Sequence, residues 1–253
     1  MTAGTTFQNR AKGFTLMELL VVISVTAVLL GLLLPAISRA KESGRSVICK
    51  NNLRQLMFGM VLYADDNNDY FPYPGMVDRN AIPDWVFGGH VAQIPPDPKE
   101  WMYPRYATHA ESGSIFGYVT GMKRVLPYNE RYTNSFPVYR CPSSGLIGRA
   151  RRVTYSMNGL FDPLTRPEVL GSGLQRSAIY NPAHKILMVD ESPETAHDGS
   201  FLPYGTEGQF NQHEKRVNIG FADAHLETFR HRRIMEVQAG GSGTLSHFDP
   251  FNR

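Results

Sequence analysis

From Phe14 to Leu34 the chain runs for twenty-one residues with a single charge, Glu18. As a helix rising 1.5 Å per residue, that stretch covers about 31 Å, the thickness of a hydrocarbon core. In lipid the backbone must satisfy its own hydrogen bonds, so a run of this kind enters a membrane only as a helix. A carboxylate inside such a run is costly, which singles out Glu18 as a functional candidate. A plain anchor with Glu18 at headgroup depth satisfies the same pattern, because the cost is much lower near an interface.

The helix is expected to continue past Leu34. Pro35 removes one backbone donor and is a place for a kink. Beyond it Leu53, Leu56, Met57, Met60 and Ala64 fall at helical spacing with Arg54, Gln55 and Gly59 between them. One helix is therefore predicted from about Phe14 to Ala64. Its first part is apolar all round, and its second part is amphipathic and must lie against a globular domain. Asp65-Asp66-Asn67-Asn68-Asp69-Tyr70-Phe71-Pro72 is poor in helix formers and closes the helix. Asp65, Asn67 and Asp69 alternate as early calcium ligands do. However, Tyr70 stands where such a loop needs Gly and Met76 where it needs Glu, so a solvated helix stop is the better reading.

Residues 1–13 are basic and free of acids and read as a leader, not as fold. The chain carries a formal +3, and loss of Arg10 and Lys12 with that leader leaves +1. That balance excludes a bulk electrostatic nucleic-acid binder. The organisation expected is a leader at 1–13, a membrane segment at 14–34, its amphipathic continuation at 35–64 and an extracytoplasmic domain at 65–253. With 17 Pro and 23 Gly, that domain should be rich in loops.

Cys49 and Cys141 lie far apart in sequence. In an oxidising compartment they could pair, and closing so long a loop stabilises by up to ~4–5 kcal/mol in the chain-entropy model. Two buried thiols are the alternative, and the anchored, extracytoplasmic reading favours the bridge. No metal is expected, since there is no Cys-x-x-Cys and the histidines are scattered. No cofactor is expected either.

Residues 72–135 are broken by prolines but hold Trp85, Trp101, Tyr103 and Tyr106, so an ordered irregular insertion is expected, with a short helix near 117–125. Short strands are predicted at Phe136–Arg140, Val153–Met157 and Lys185–Asp190. Val217–Ala222 and His225–Phe229 flank Asp223-Ala224 and read as a β-hairpin. Residues 239–253 read as a loose tail.

Gly13-Phe14-Thr15-Leu16-Met17-Glu18-Leu19-Leu20-Val21-Val22 resembles the prepilin signal of type IV pilins and type II secretion pseudopilins. The pattern is a short basic leader ending in Gly, then Phe, then Glu at the fifth mature position. The resemblance implies cleavage after Gly13 and N-methylation of Phe14 by a prepilin peptidase. It also implies that Glu18 faces the Phe14 amine of a neighbouring subunit. The fold implied is α+β and pilin-like: a long N-terminal helix on a domain with an antiparallel sheet and long irregular loops. Other pilin-like subunits and the inner membrane are the implied partners.

Cys49-Lys50-Asn51-Asn52-Leu53-Arg54-Gln55-Leu56, the Tyr63–Pro72 segment, Arg140-Cys141-Pro142-Ser143 and Tyr155-Ser156-Met157-Asn158 are similar to segments of a large prepilin-like group. That group ends in His, nine residues and Asp-Gly; here His213 precedes Asp223 at that spacing, but Ala224 replaces the Gly. Gly is favoured in such a turn because it accepts positive φ, and Ala there costs roughly 1 kcal/mol. His213 and Asp223 are expected to be structural, in a turn with another geometry or under strain, with a metal or ligand role as the alternative.

The function expected is a structural subunit of a type IV pilus or type II secretion pseudopilus, not an enzyme. A membrane-anchored binding module for polysaccharide or protein is the alternative. An anchored hydrolase is disfavoured, since no Gly-x-Ser-x-Gly, His-Glu-x-x-His or P-loop pattern occurs and Asp190 and Glu191 point to opposite strand faces. Arg39, Lys41, Arg45, Lys50 and Arg54 follow the apolar run, so charge counting alone would leave the domain in the cytoplasm. The more specific leader signal implies the opposite orientation.

Overall fold

The computed structural model describes residues 14–75, 84–86, 110–125, 134–162, 174–196, 198–203, 212–234 and 245–252. The leader, including Gly13, and Trp101, Tyr103 and Tyr106 lie outside them. Helix α1 runs Leu16–Asp66 and contains Pro35, in agreement with the predicted span. The chain divides into two compact units, Met1–Lys41 and Glu42–Arg253. In the first, every described residue is exposed. Among the described residues, α1 is the one helix long and apolar enough to cross a membrane. The second unit begins inside the helix, so the α1 residues from Glu42 onward are part of the domain core.

That core forms because α1 turns one face inward. Cys49, Asn52, Leu53, Leu56, Met57, Gly59, Met60 and Ala64 are buried, at the spacing read from the sequence. Each large side chain buried there contributes about 1.5–3 kcal/mol. They meet a five-stranded sheet made of β1 (Tyr155–Asn158), β2 (Ile186–Asp190), β3 (Ser200–Phe201), β4 (Arg216–Phe221) and β5 (Leu226–Arg230). The strand order is β3-β1-β2-β4-β5. All pairs are antiparallel except β1 with β3. This is the pilin-like α+β architecture.

Period-two alternation divides β4 between two cores. Val217, Ile219 and Phe221 join Phe201, Phe229, Ile234 and Phe248 on one face. Asn218 and Gly220 face the helix, and a Cβ on Gly220 would stand 2.6 Å from Met57 Sδ. Helix and strand approach this closely only because the side chain is missing. On β2 a bulge between Ile186 and Met188 sets Leu187 and Met188 both in the helix-side core, while Ile186 and Val189 face the other.

Three expectations are corrected. Phe136–Arg140 is not a strand: Pro137–Tyr139 is a 3-10 turn, closed by Tyr139 N–H to Phe136 O and Arg140 N–H to Pro137 O. Pro137 has a fixed φ and no N–H to offer a ladder. The C-terminal residues are not loose. Within Leu245–Phe248 and the residues that follow, Phe248 is buried against Phe201, and Asn158 and Lys185 donate to the carbonyls of Phe248, Ser246 and Asn252. The hairpin loop has three residues, Ala222–Ala224. Phe221 N–H bonds His225 O, and Ala224 N–H bonds Phe221 O. The expected short helix is present as α2, Phe116–Thr120, ended by Gly121 at φ 70°. Helix α3, Gly145–Arg151, and strand β3 were not foreseen.

The acidic helix stop has a structural job. Arg176 binds Asp65 Oδ1 at 2.7 Å and Asp69 Oδ1 at 2.8 Å, and Ser177 N–H donates to Asp69 Oδ2. The aspartates that alternate like calcium ligands thus grip an arginine instead. Burial works against the Asp69 carboxylate, but the bonds from Ser177 and Arg176 together outweigh it and hold the group below the usual range.

Two predictions follow from this geometry. Ala224 sits at φ 70°, so Ala224→Gly should stabilise the chain by about 0.5–1 kcal/mol, read as a higher urea midpoint in detergent. The depressed carboxyl of Asp69 stabilises the fold above its ordinary titration range, and that contribution is lost as pH falls through the lowered folded value. Asp69→Asn should therefore lower the urea midpoint at pH 7, by about 1 kcal/mol or less for so exposed a pair, and the gap to wild type should close towards pH 3.

Candidate functional site

At the start of α1, Thr15 N–H and Oγ1 both donate to Glu18 Oε2 at 2.8 Å, and Glu18 N–H donates to Thr15 Oγ1 at 3.2 Å. This reciprocal pair is a capping box, which satisfies helix donors that have no intrahelical partner. Glu18 therefore has a local partner within its own chain. Phe14 beside it is 70% exposed.

The second constellation is in the domain core. It joins four residues from four separate parts of the chain. Cys49 is on the buried face of α1, Cys141 follows the Pro137–Tyr139 turn, Asp190 ends β2, and His213 precedes β4. Cys49, Cys141 and Asp190 are fully buried, and His213 is nearly so. The ligand atoms of Cys49, Cys141 and His213 lie within 4.8 Å of one another. Cys49 Sγ is 3.1 Å from Asp190 Oδ2, and Cys141 Sγ is 3.2 Å from His213 Nε2. His213 Nε2 is also 3.5 Å from Asp190 Oδ2.

A second layer of hydrogen bonds fixes each of these groups. His213 Nδ1 is 2.8 Å from Glu42 Oε1, and Ser143 Oγ donates to the same oxygen at 2.6 Å. Asn218 donates its backbone N–H to Asp190 Oδ1 and its Nδ2 to Oδ2, and Thr228 in turn holds Asn218 Oδ1. Strand pairing accounts for this: Val189 stands opposite Ile219, so Asp190 and Asn218 share the helix-facing side. Tyr155 O–H reaches Cys49 Sγ at 3.2 Å and Cys49 O at 3.1 Å. Thr154 Oγ1 accepts from Cys141 N–H at 2.7 Å.

The backbone is bent to deliver the imidazole. His213 has φ 45° and ψ 56°, Glu214 φ 56° and ψ 46°, and Lys215 φ 67°. Three successive left-handed residues with side chains cost roughly 1–2 kcal/mol each. Strain of this kind persists only where surrounding structure over-determines it, and it collects at functional sites.

The electrostatics follow from the contacts. Burial opposes charge on His213, but hydrogen bonds to Asp190 and Cys141 push the imidazole up to about 10. The Cys141 thiol, hydrogen-bonded to Cys49 and His213, is drawn down to about 6 against its burial. Cys49, buried beside Cys141 and Asp190, is pushed well above the ordinary thiol range. A Cys–His–carboxylate set of this kind could activate a thiol nucleophile. Here both sulfurs are shut away from solvent.

The sequence expectations are resolved residue by residue. Cys49 and Cys141 do meet, but as two free thiols and not as the expected bridge. Each sulfur also faces a polar partner, Asp190 for Cys49 and His213 for Cys141. His213 and Asp223, coupled by the sequence motif, serve different places. Asp223 bonds the N–H and the ring of His225 at the hairpin, while His213 bonds Cys141, Glu42 and Ser143. Asp190, Glu42, Asn218 and Tyr155 were not foreseen as members of one site. The absence of a metal-binding spacing in the sequence did not reveal that the fold assembles Cys, Cys and His.

Comparison with known proteins bears on both constellations. Residues 8–34 match the family described as the prokaryotic N-terminal methylation motif. The chain is 37% identical over 62 residues to the type IV wide pilus major component PilA4 of Thermus thermophilus. That alignment covers 24% of this chain and 47% of the relative, so the chain spans about half the length of the curated relative it matches. No solved structure matches. Residues 38–223, most of the chain and nearly all of the buried cluster's surroundings, match a second family; the chain therefore belongs to the family described as protein of unknown function, DUF1559.

Proposed function

We propose that this chain is a pilin-like subunit, processed after Gly13 by a prepilin peptidase, methylated at Phe14, and built into a type IV pilus or type II secretion pseudopilus through residues 14–34. The observation that carries this reading is the N-terminal segment itself. It matches the methylation motif, forms a helix, and exposes large apolar side chains from Phe14 to Leu34. Lipid covers them before assembly, and sister helices cover them in a filament.

In this scheme the domain from Glu42 onward stands outside the inner membrane, and the subunit works by packing, with no catalysis. Glu18 has two successive partners. In the free subunit it caps its own helix through Thr15. In the filament it neutralises the Phe14 amine of a neighbour, two charges that are costly apart in an apolar bundle. The partners are the peptidase and other pilin-like subunits.

Two measurements test this. Mass spectrometry of protein from the native membrane should find a chain that starts at methylated Phe14; an intact Met1, or a cut beyond Leu34, would sink the proposal. The second separates capping from assembly. Glu18→Gln keeps an N3 side chain that can serve a capping box but removes the charge. Co-expressed with wild type, it should insert normally and be depleted at least about tenfold from the sheared or crosslinked filament fraction, the loss expected when a buried amine is left unpaired. Equal incorporation would mean that Glu18 acts only as a cap.

A further inference from the structure

We propose that Cys49, Cys141, His213 and Asp190 are the ligands of a closed, structural zinc(II) site that ties α1 to the sheet, independently of whether the chain forms filaments.

The ligand chemistry fits. Zinc takes thiolate, imidazole and carboxylate ligands, and structural sites are four-coordinate and closed to solvent. Bonds of about 2.3 Å to sulfur and 2.0–2.1 Å to nitrogen and oxygen put tetrahedral ligand atoms about 3.3–3.8 Å apart. The separations here are 3.1 Å for Cys49 Sγ to Asp190 Oδ2, 3.2 Å for Cys141 Sγ to His213 Nε2 and 3.5 Å for His213 Nε2 to Asp190 Oδ2. Cys49 Sγ, Cys141 Sγ and His213 Nε2 all lie within 4.8 Å of one another, and Asp190 Oδ2 stands against two of them, so three ligands are already gathered and Asp190 is the one that must swing toward Cys141 to complete the set.

The surroundings fit as well, and this is the stronger argument. Metal-bound histidines donate their other ring N–H to a carboxylate, which fixes the tautomer and orients the ring. His213 presents Nε2 to the cluster and Nδ1 to Glu42 Oε1 at 2.8 Å, and Ser143 holds that carboxylate in turn. Ligand thiolates and carboxylates accept hydrogen bonds from the next layer. Tyr155 O–H points at Cys49 Sγ, and Asn218 holds both oxygens of Asp190. Three of the four ligands thus have a side-chain support, and Thr154 Oγ1 holds the fourth, Cys141, by its backbone N–H. Three left-handed residues in succession bring His213 to this point, and strain of this kind collects at functional sites.

Charge explains why an ion belongs there. Asp190 is fully buried, and His213 is the one side chain that can meet it with a positive charge in the contacts described. With zinc bound, both sulfurs are thiolates and Nε2 is unprotonated. The two protons that Cys49, Cys141 and His213 share at these atoms leave for solvent, two per ion. Two thiolates and Asp190 against Zn²⁺ give a net charge of −1, which the Asn218 and Tyr155 donors offset.

The test uses the full chain in detergent, under reducing conditions and without a polyhistidine tag. Stripped with a chelator and titrated with zinc alone, it should bind about one ion per chain, release about two protons and gain several degrees in Tm. With cobalt(II) it should show thiolate-to-metal charge transfer and the d–d bands of tetrahedral coordination. Glu42→Gln, which leaves all four ligands in place, should weaken zinc about 10–100-fold. Cys49→Ser and Cys141→Ser should each weaken it further and lose part of the charge-transfer band. A ligand variant that unfolds carries no weight, and the wild-type titration decides alone. No stoichiometric zinc, binding without proton release, octahedral cobalt spectra, or a Cys49–Cys141 disulfide in chain isolated from its native membrane would each overturn the proposal.

Discussion

The inward face of α1 is the constraint on which the domain rests. Between Cys49 and Ala64 the helix lays small, sulfur-bearing and aliphatic side chains onto the sheet, and Gly220 lets Met57 approach a strand more closely than any side chain would permit. The geometry has to be rigid in register as well as in distance. A shift of α1 by one residue would turn Leu53 and Met57 off the core and bring Arg54 and Phe58 towards it. The helix is therefore held at several points along its length. Asn52 donates to the carbonyls of Pro137 and Arg140, Tyr155 bonds Cys49, and Arg176 draws Asp65 and Asp69 together at the far end.

The buried cluster sits at one of these holds, where Tyr155 meets Cys49. A polar network inside a core stabilises only if its members are satisfied, because an unpaired group costs more than a paired one returns. Here the satisfaction is nearly reciprocal. Asp190 takes two bonds from Asn218, Asn218 one from Thr228, and Glu42 takes Ser143 and His213. The network also spans the chain, from residue 42 to residue 228. Local segments cannot form it, so it is complete only when helix, turn and sheet are all in place. Such a network specifies one arrangement of α1 on the sheet, where apolar packing alone would tolerate neighbouring ones.

How much of this was legible in the sequence depended on range. The helix was legible because its apolar run and its i, i+3, i+4 pattern are local and long. Strands β2, β4 and β5 were legible through short apolar or alternating runs and a turn between two of them. The strain at Ala224 was legible because Ala stands where a left-handed position needs Gly. Phe136–Arg140 was misread as a strand although Pro137, with fixed φ and no N–H, favours the turn that forms there. Strand β3, two residues long, has no periodicity to read. The cluster was illegible for a deeper reason. Its members stand at 49, 141, 190 and 213, and spacing rules detect only ligands supplied by one local unit. His213 was marked by its motif, but its sequence partner in that motif, Asp223, is not its partner in space.

This separation of His213 from Asp223 changes what a motif of that form means physically. The interval of ten residues is the length of one left-handed approach, one strand and the beginning of one hairpin loop. His213 marks the point where the chain enters β4 from the cluster, and Asp223 marks where it leaves, with its carboxylate on the N–H of His225. Both residues are conformational fixtures of the same strand, at opposite ends. A strand fixed at both ends cannot slip, and slippage by one residue would carry Asn218 from Asp190 to the opposite face. The motif thus sets the register of β4, and through Asn218 that register sets the orientation of Asp190, and through Asp190 the position of the helix that carries the membrane segment.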